Sequence, residues 1–114
     1  MSAADELRTA ASKLRDLAAR AADDTLMLSD EEAWLNDGPQ ITSGAGHWML
    51  VAEVKTGAPG ETDPAVAEYI TTMDPLVGAA LADLLDKVAE DEAAHVAHSP
   101  SALAIARLIN RRAS

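Results

Sequence analysis

The chain has 114 residues, no cysteine, three aromatic residues and a formal net charge of −10. The length fits one domain, and the missing cysteine excludes disulfides, thiol chemistry and thiolate metal sites. The charge is uneven: residues 1–22 carry four basic and three acidic residues, 23–98 two basic and sixteen acidic, and 99–114 three arginines and no acid. An acidic middle of that weight argues against binding nucleic acid or anionic membrane surfaces, which need lysine and arginine against phosphate.

Alanine supplies 25 positions and phenylalanine none. Alanine lets helices approach closely but fills little volume, so the core is thin for a monomer and a homodimer is expected. The N-terminus has no apolar signal core, and the longest run of large apolar residues is Trp48–Val51. Both suggest a soluble cytoplasmic protein.

Residues 3–22 read as a helix. Leu7, Ala10, Leu14, Leu17 and Ala21 recur in steps of three and four, the spacing of a helical seam. Asp5 and Glu6 sit in the first turn and Arg20 in the last, as the helix dipole prefers. Leu26–Leu28 could form a short strand. Ser29–Glu32 has the pattern of a capping box, which predicts a short helix from Asp30 to about Leu35 and a turn over Asn36–Pro39.

Residues 40–55 read as a β-hairpin. Ile41-Thr42 leads into the turn-rich Ser43–Gly46, and His47–Val54 is rich in strand formers. Along that strand Trp48, Leu50 and Ala52 face one way, and Met49, Val51 and Glu53 the other. A two-stranded hairpin alone is marginal in water and needs a helix, a third strand or another subunit. Thr56–Thr62 is a loop.

Asp63-Pro64, Asp74-Pro75 and Ser99-Pro100 each join a good N-cap to proline at the first helical position. The pattern predicts helices that start at Pro64, Pro75 and Pro100, with a break at Asp74. In the helix after Pro75, Leu76, Val77, Ala80, Leu81, Leu84, Leu85 and Val88 fall on one face and are the expected spine of the core. Asp83, Asp86, Lys87 and Glu90 fall on the other, with Asp83–Lys87 spaced as an i,i+4 ion pair. The last helix, Ala102–Arg112, carries Leu103, Ala106, Leu108 and Ile109 as apolar positions. The fold class is α+β: an N-terminal helix, a central β-hairpin, a helix–kink–long helix unit and a C-terminal helix.

Three stretches carry a resemblance. Leu7–Ala18 has the form Leu-x-x-Ala-Ala-x-x-Leu-x-x-Leu-Ala. Trp34 precedes a hairpin ending Val51-Ala52-Glu53, and Ala67–Leu85 contains Ala-x-Tyr-Ile followed by Pro-x-Val-x-x-Ala-Leu-x-x-Leu-Leu. Together they resemble small uncharacterised proteins of actinobacterial phages and prophages and, more distantly, the Ead-like early-region proteins of lambdoid phages. Glu31-Glu32-Ala33 stands where those proteins have Pro-Gly-Pro before the tryptophan. The resemblance implies a phage accessory protein in a bacterial cytoplasm, with no catalytic residues to transfer.

Candidate sites are few. Asp91, Glu92, His95 and His98 are the one potential ligand cluster. On a continuous helix Asp91, His95 and His98 would share a face, and Glu92-x-x-His95 is a spacing used in carboxylate-bridged metal bundles. That chemistry needs matching motifs on other helices, which the chain lacks, so no metal or other cofactor is expected; His95 and His98 are adventitious candidates. Ser43–Gly46 lacks the lysine and helix of a phosphate loop, and His47 beside Ser43 has no third orienting residue.

The expected function is non-enzymatic and acts through contact with a host or phage protein. Trp48 and Leu50 are candidate contacts on the strand, and Asp83, Asp86, Glu90 and Asp91 are candidates on the acidic face. The alternative is an acidic nucleic-acid mimic that occupies a host DNA-binding or defence protein. A metal-dependent enzyme is the third reading.

Overall fold

The computed structural model describes residues 2–24, 34–37, 40–43, 49–53 and 64–112. It contains α1 (Ala3–Asp24), β1 (Leu35–Asp37), β2 (Gln40–Ser43), β3 (Met49–Glu53), α2 (Pro64–Thr72), α3 (Pro75–Ala93) and α4 (Pro100–Arg112). This is the expected α+β layout. Helices start at Pro64, Pro75 and Pro100, where the cap-plus-proline pattern places them. Asp74 is nearly enclosed. Its Oδ1 accepts the amides of Leu76 at 3.0 Å and Val77 at 3.1 Å, two donors that no helical carbonyl can reach. Ser99 Oγ does the same for Ala102 at 3.2 Å.

Helix α1 opens on a capping box absent from the sequence reading. The Asp5 amide donates to Ser2 Oγ at 3.1 Å, and the Ser2 amide donates back to Asp5 Oδ2 at 3.4 Å. The helix ends at Asp24, two residues past the expected end.

Two compact units make up the chain: Met1–Ala18 with Gly78–Ser114, and Ala19–Val77. In the first, Leu7, Ala10, Ala11, Ala82, Leu85, Ala89, Ala102, Leu103 and Ala106 form the core, joined at its edge by Ala3, Leu14, Val88 and Ile109. Six of the nine core residues are alanine, so the helix backbones close the space that larger side chains would otherwise fill. Gly78 illustrates the approach: a Cβ there would lie 3.3 Å from the Ala18 Cβ, tighter than ordinary contact.

The expected core faces are corrected here. On α3 the enclosed stripe is Ala82, Leu85 and Ala89, while Leu76, Val77, Ala80 and Leu84 are exposed and Leu81 is half-buried. On α1 the enclosed stripe runs Ala4, Leu7, Ala11 and Ala18, and Leu17 is exposed. A strict 3.5-residue seam drifts about 20° per heptad from a straight 3.6-residue helix, which moves contact from position 17 to 18. On α4 Leu108 is exposed, and Ala102, Leu103 and Ala106 are enclosed.

In the second unit the three strands form an antiparallel sheet in the order β1-β2-β3. Ile41 pairs with Asn36 on one side and Ala52 on the other. Leu35–Asp37, expected as a helix end and a turn, is thus the third strand that the β2–β3 hairpin needs. Between Ile41 and Thr42 the register shifts, because Ile41 faces Ala52 and Thr42 faces Leu50. Val51 is the extra residue of this bulge, so the alternation expected along the strand is interrupted there. Helix α2 packs on β1 and β2. Ile41, Ser43 and Ala67 are fully enclosed.

Candidate functional site

Asp83 and Asp86, expected on an acidic face with Lys87 as local partner, are instead held from α1. Arg15 Nη2 lies 3.0 Å from Asp83 Oδ1 and 2.7 Å from Asp86 Oδ2. The hydrogen bond to Asp86, then that to Asp83, raises the Arg15 pKa above the ordinary arginine value. Lys87 pairs with Asp91 at 3.2 Å, one turn on, rather than with Asp83. Of the four acidic candidates, Glu90 alone is exposed without an ion pair among the described residues. Arg15 was not linked to the acidic face in the sequence because 68 residues separate it from Asp83.

The potential ligand cluster is also taken apart. Helix α3 stops at Ala93, and His95 sits in the left-handed region with φ 55°. The Val96 amide donates to the Asp91 carbonyl at 2.9 Å, and the His95 amide to the Glu92 carbonyl at 3.2 Å. This pair of bonds is a Schellman motif, which satisfies the last carbonyls of the helix. It turns the chain away before His95 can join Asp91 on a helical face. His98 Nδ1 then lies 2.8 Å from Glu92 Oε2, a pairing the helical spacing did not suggest. Among the described residues, no group of three or more metal-ligating side chains comes together.

On the strand, Leu50 lies in β3 opposite Thr42; Trp48 and His47, with Gly44–Gly46, fall outside the described residues. The capping box at Ser29–Glu32, the Leu26–Leu28 run, Asp63 and the Thr56–Thr62 loop fall outside them as well.

A second polar cluster joins α1 to α4. Lys13 Nζ donates to the Asn110 carbonyl at 3.2 Å, Asn110 Nδ2 donates to the Glu6 carbonyl at 3.0 Å, and both Glu6 carboxylate oxygens accept from Arg107 at 3.3 Å. These groups line an open groove of about 340 Å³. Lys13 serves here as a cation at the carbonyl end of α4, where the helix dipole favours it.

A further feature of α3 is apolar. Helix α3 has three sides. One is the core stripe, one holds Asp83 and Asp86 against Arg15, and the third carries exposed Val77 and Leu84, with Leu81 half-buried between them and Val88 packed on the edge of the core. On that third side Val77 is 39% exposed and Leu84 55%. No helix is long and apolar enough to cross a membrane among the described residues. Comparison of the chain with protein-family models, with curated proteins and with solved structures finds no match.

Proposed function

We propose that the protein is a non-enzymatic accessory protein that acts through protein–protein contact and is itself a homodimer. The supporting observation is the exposed Leu84 in the middle of a helix whose opposite side is core. Covering it with another apolar surface would remove that area from water. An alanine-rich core with no phenylalanine leaves large apolar area scarce within one chain, which adds weight to association. Phage or prophage origin and a bacterial cytoplasm belong to the same proposal, and rest on the resemblance in Leu7–Ala18 and Ala67–Leu85.

The acidic-mimic reading has less support. Mimicry of a phosphate track needs free carboxylates in a row, and Asp83, Asp86 and Asp91 are engaged by Arg15 and Lys87. The mass of the native protein in solution tests the dimer. Salt dependence of partner capture separates the two readings, because apolar burial resists salt and charge pairing does not.

A further inference from the structure

We infer that the groove between α1 and α4 is a binding site for phosphate, taken as the free ion or as a small phosphate monoester. The inference is separate from the proposed protein contact and does not depend on it. Glu6, Thr9 and Lys13 of α1 and Arg107, Asn110 and Arg111 of α4 line the groove, and its volume of about 340 Å³ is that of a small-molecule site.

The fold gathers positive charge here against the trend of the chain. Residues 1–22 and 99–114 are the two segments of net positive charge in a chain of −10, and α1 and α4 lie side by side. Within the groove the charges do not cancel. Both Glu6 carboxylate oxygens are taken by Arg107, which leaves Lys13 and Arg111. Lys13 gives one of its three donors to the Asn110 carbonyl. The Arg111 guanidinium has neither an ion pair nor a hydrogen bond among the described residues.

The excess charge selects the ligand. The negative end of the α4 dipole offsets roughly half a charge, so about +1.5 of the two cations remains. Phosphate carries about −1.5 to −2 near neutral pH and matches that excess, whereas a single carboxylate does not. The donors suit it too. A guanidinium fork fits two phosphate oxygens, and an ammonium adds a point charge. The Thr9 hydroxyl, unused among the described residues, adds a neutral donor. Repulsion from the acidic remainder of the chain is screened beyond about 8 Å at physiological ionic strength.

Phosphate titration followed by amide-resolved NMR tests the site. The full chain is held in a non-phosphate buffer, with sodium chloride lowered to keep ionic strength constant. Saturable shifts are expected along the groove, at Thr9 and Lys13 on α1 and at Arg107, Asn110 and Arg111 on α4. Arg111→Gln and Lys13→Gln are each expected to weaken binding about tenfold, the loss of one charge-assisted hydrogen bond. Arg111 is exposed, so its substitution leaves the core intact. Arg112→Gln removes the same charge just outside the groove lining and is expected to leave the affinity near that of the native chain.

Shifts that rise without saturation, or that chloride reproduces, would show an adventitious ion only and overturn the inference. An Arg112→Gln loss equal to that of Arg111→Gln would overturn it as well, because general charge would then account for the binding. Glycerol phosphate beside inorganic phosphate separates the two sources. Tighter binding of the ester supports a site for a monoester, and equal or weaker binding supports a site for the free ion.

Discussion

Leu84 and Leu85 are adjacent on α3 and opposite in environment: Leu85 is fully enclosed, and Leu84 is 55% exposed. Leu85→Ala is expected to cost about 2–5 kcal/mol, the range for emptying an enclosed leucine site. Leu84→Ala is expected to change the stability of the dissociated chain by no more than about 0.5 kcal/mol, as exposed substitutions do. Urea unfolding at concentrations low enough to dissociate a dimer checks both values. A large loss at Leu84 under those conditions would mean that the core face has been misplaced.

How much of this fold was legible in the sequence depends on the kind of signal. Cap-plus-proline pairs act locally, so the starts of α2, α3 and α4 could be read from three dipeptides. Choosing the buried face of α3 was harder, because hydrophobicity favours leucine over alanine, whereas close helix approach buries Ala82 and Ala89 and leaves Leu84 out. The strand at Leu35–Asp37 was hidden by weak local strand propensity in Asn36 and Asp37. Its pairing with β2 is tertiary and overrides propensity. The Arg15 clamp on Asp83 and Asp86 joins residues distant in sequence, which no spacing rule connects. Val77 and Leu84 read as part of the buried spine, and the structure leaves both exposed.

Asp74→Ala is expected to cost about 1 kcal/mol, the usual loss when an N-cap side chain is removed. Both amides it serves, those of Leu76 and Val77, would lose their acceptor. Asp74→Asn keeps an oxygen in place and is expected to retain most of that stability. The urea midpoint measures each, and an unchanged midpoint for Asp74→Ala would show that the cap contributes nothing.

The carboxyl of Asp5 is held below the ordinary aspartate range, first by the hydrogen bond from the Ser2 hydroxyl and then by the one from the Ser2 backbone, with a smaller contribution from Arg8. A depressed folded pKa stabilises the fold above the unfolded-state pKa, and that contribution disappears as pH falls through the folded value. Ser2→Ala is therefore expected to raise the Asp5 pKa toward its ordinary value in an NMR titration. It would also narrow the acid range over which α1 stays capped. No movement of the Asp5 titration would contradict the capping box.

His95 occupies a left-handed conformation that favours glycine. His95→Gly is expected to stabilise the end of α3 by up to about 1 kcal/mol, because a side chain at that φ is strained. A loss of stability would indicate that the histidine side chain has a favourable contact that offsets its backbone strain.

The most direct test of the proposed homodimer is the molar mass of the native chain by light scattering at tens of micromolar and moderate salt, measured beside Leu84→Asp. A charged side chain at the centre of an apolar interface is left desolvated and unpaired, so it should dissociate the pair. The expected result is twice the chain mass of 11.9 kDa for the native protein and the single-chain mass for the variant, with equal helical content by circular dichroism. A native protein at the single-chain mass would contradict the homodimer, and a variant that stays dimeric would place Leu84 outside its interface.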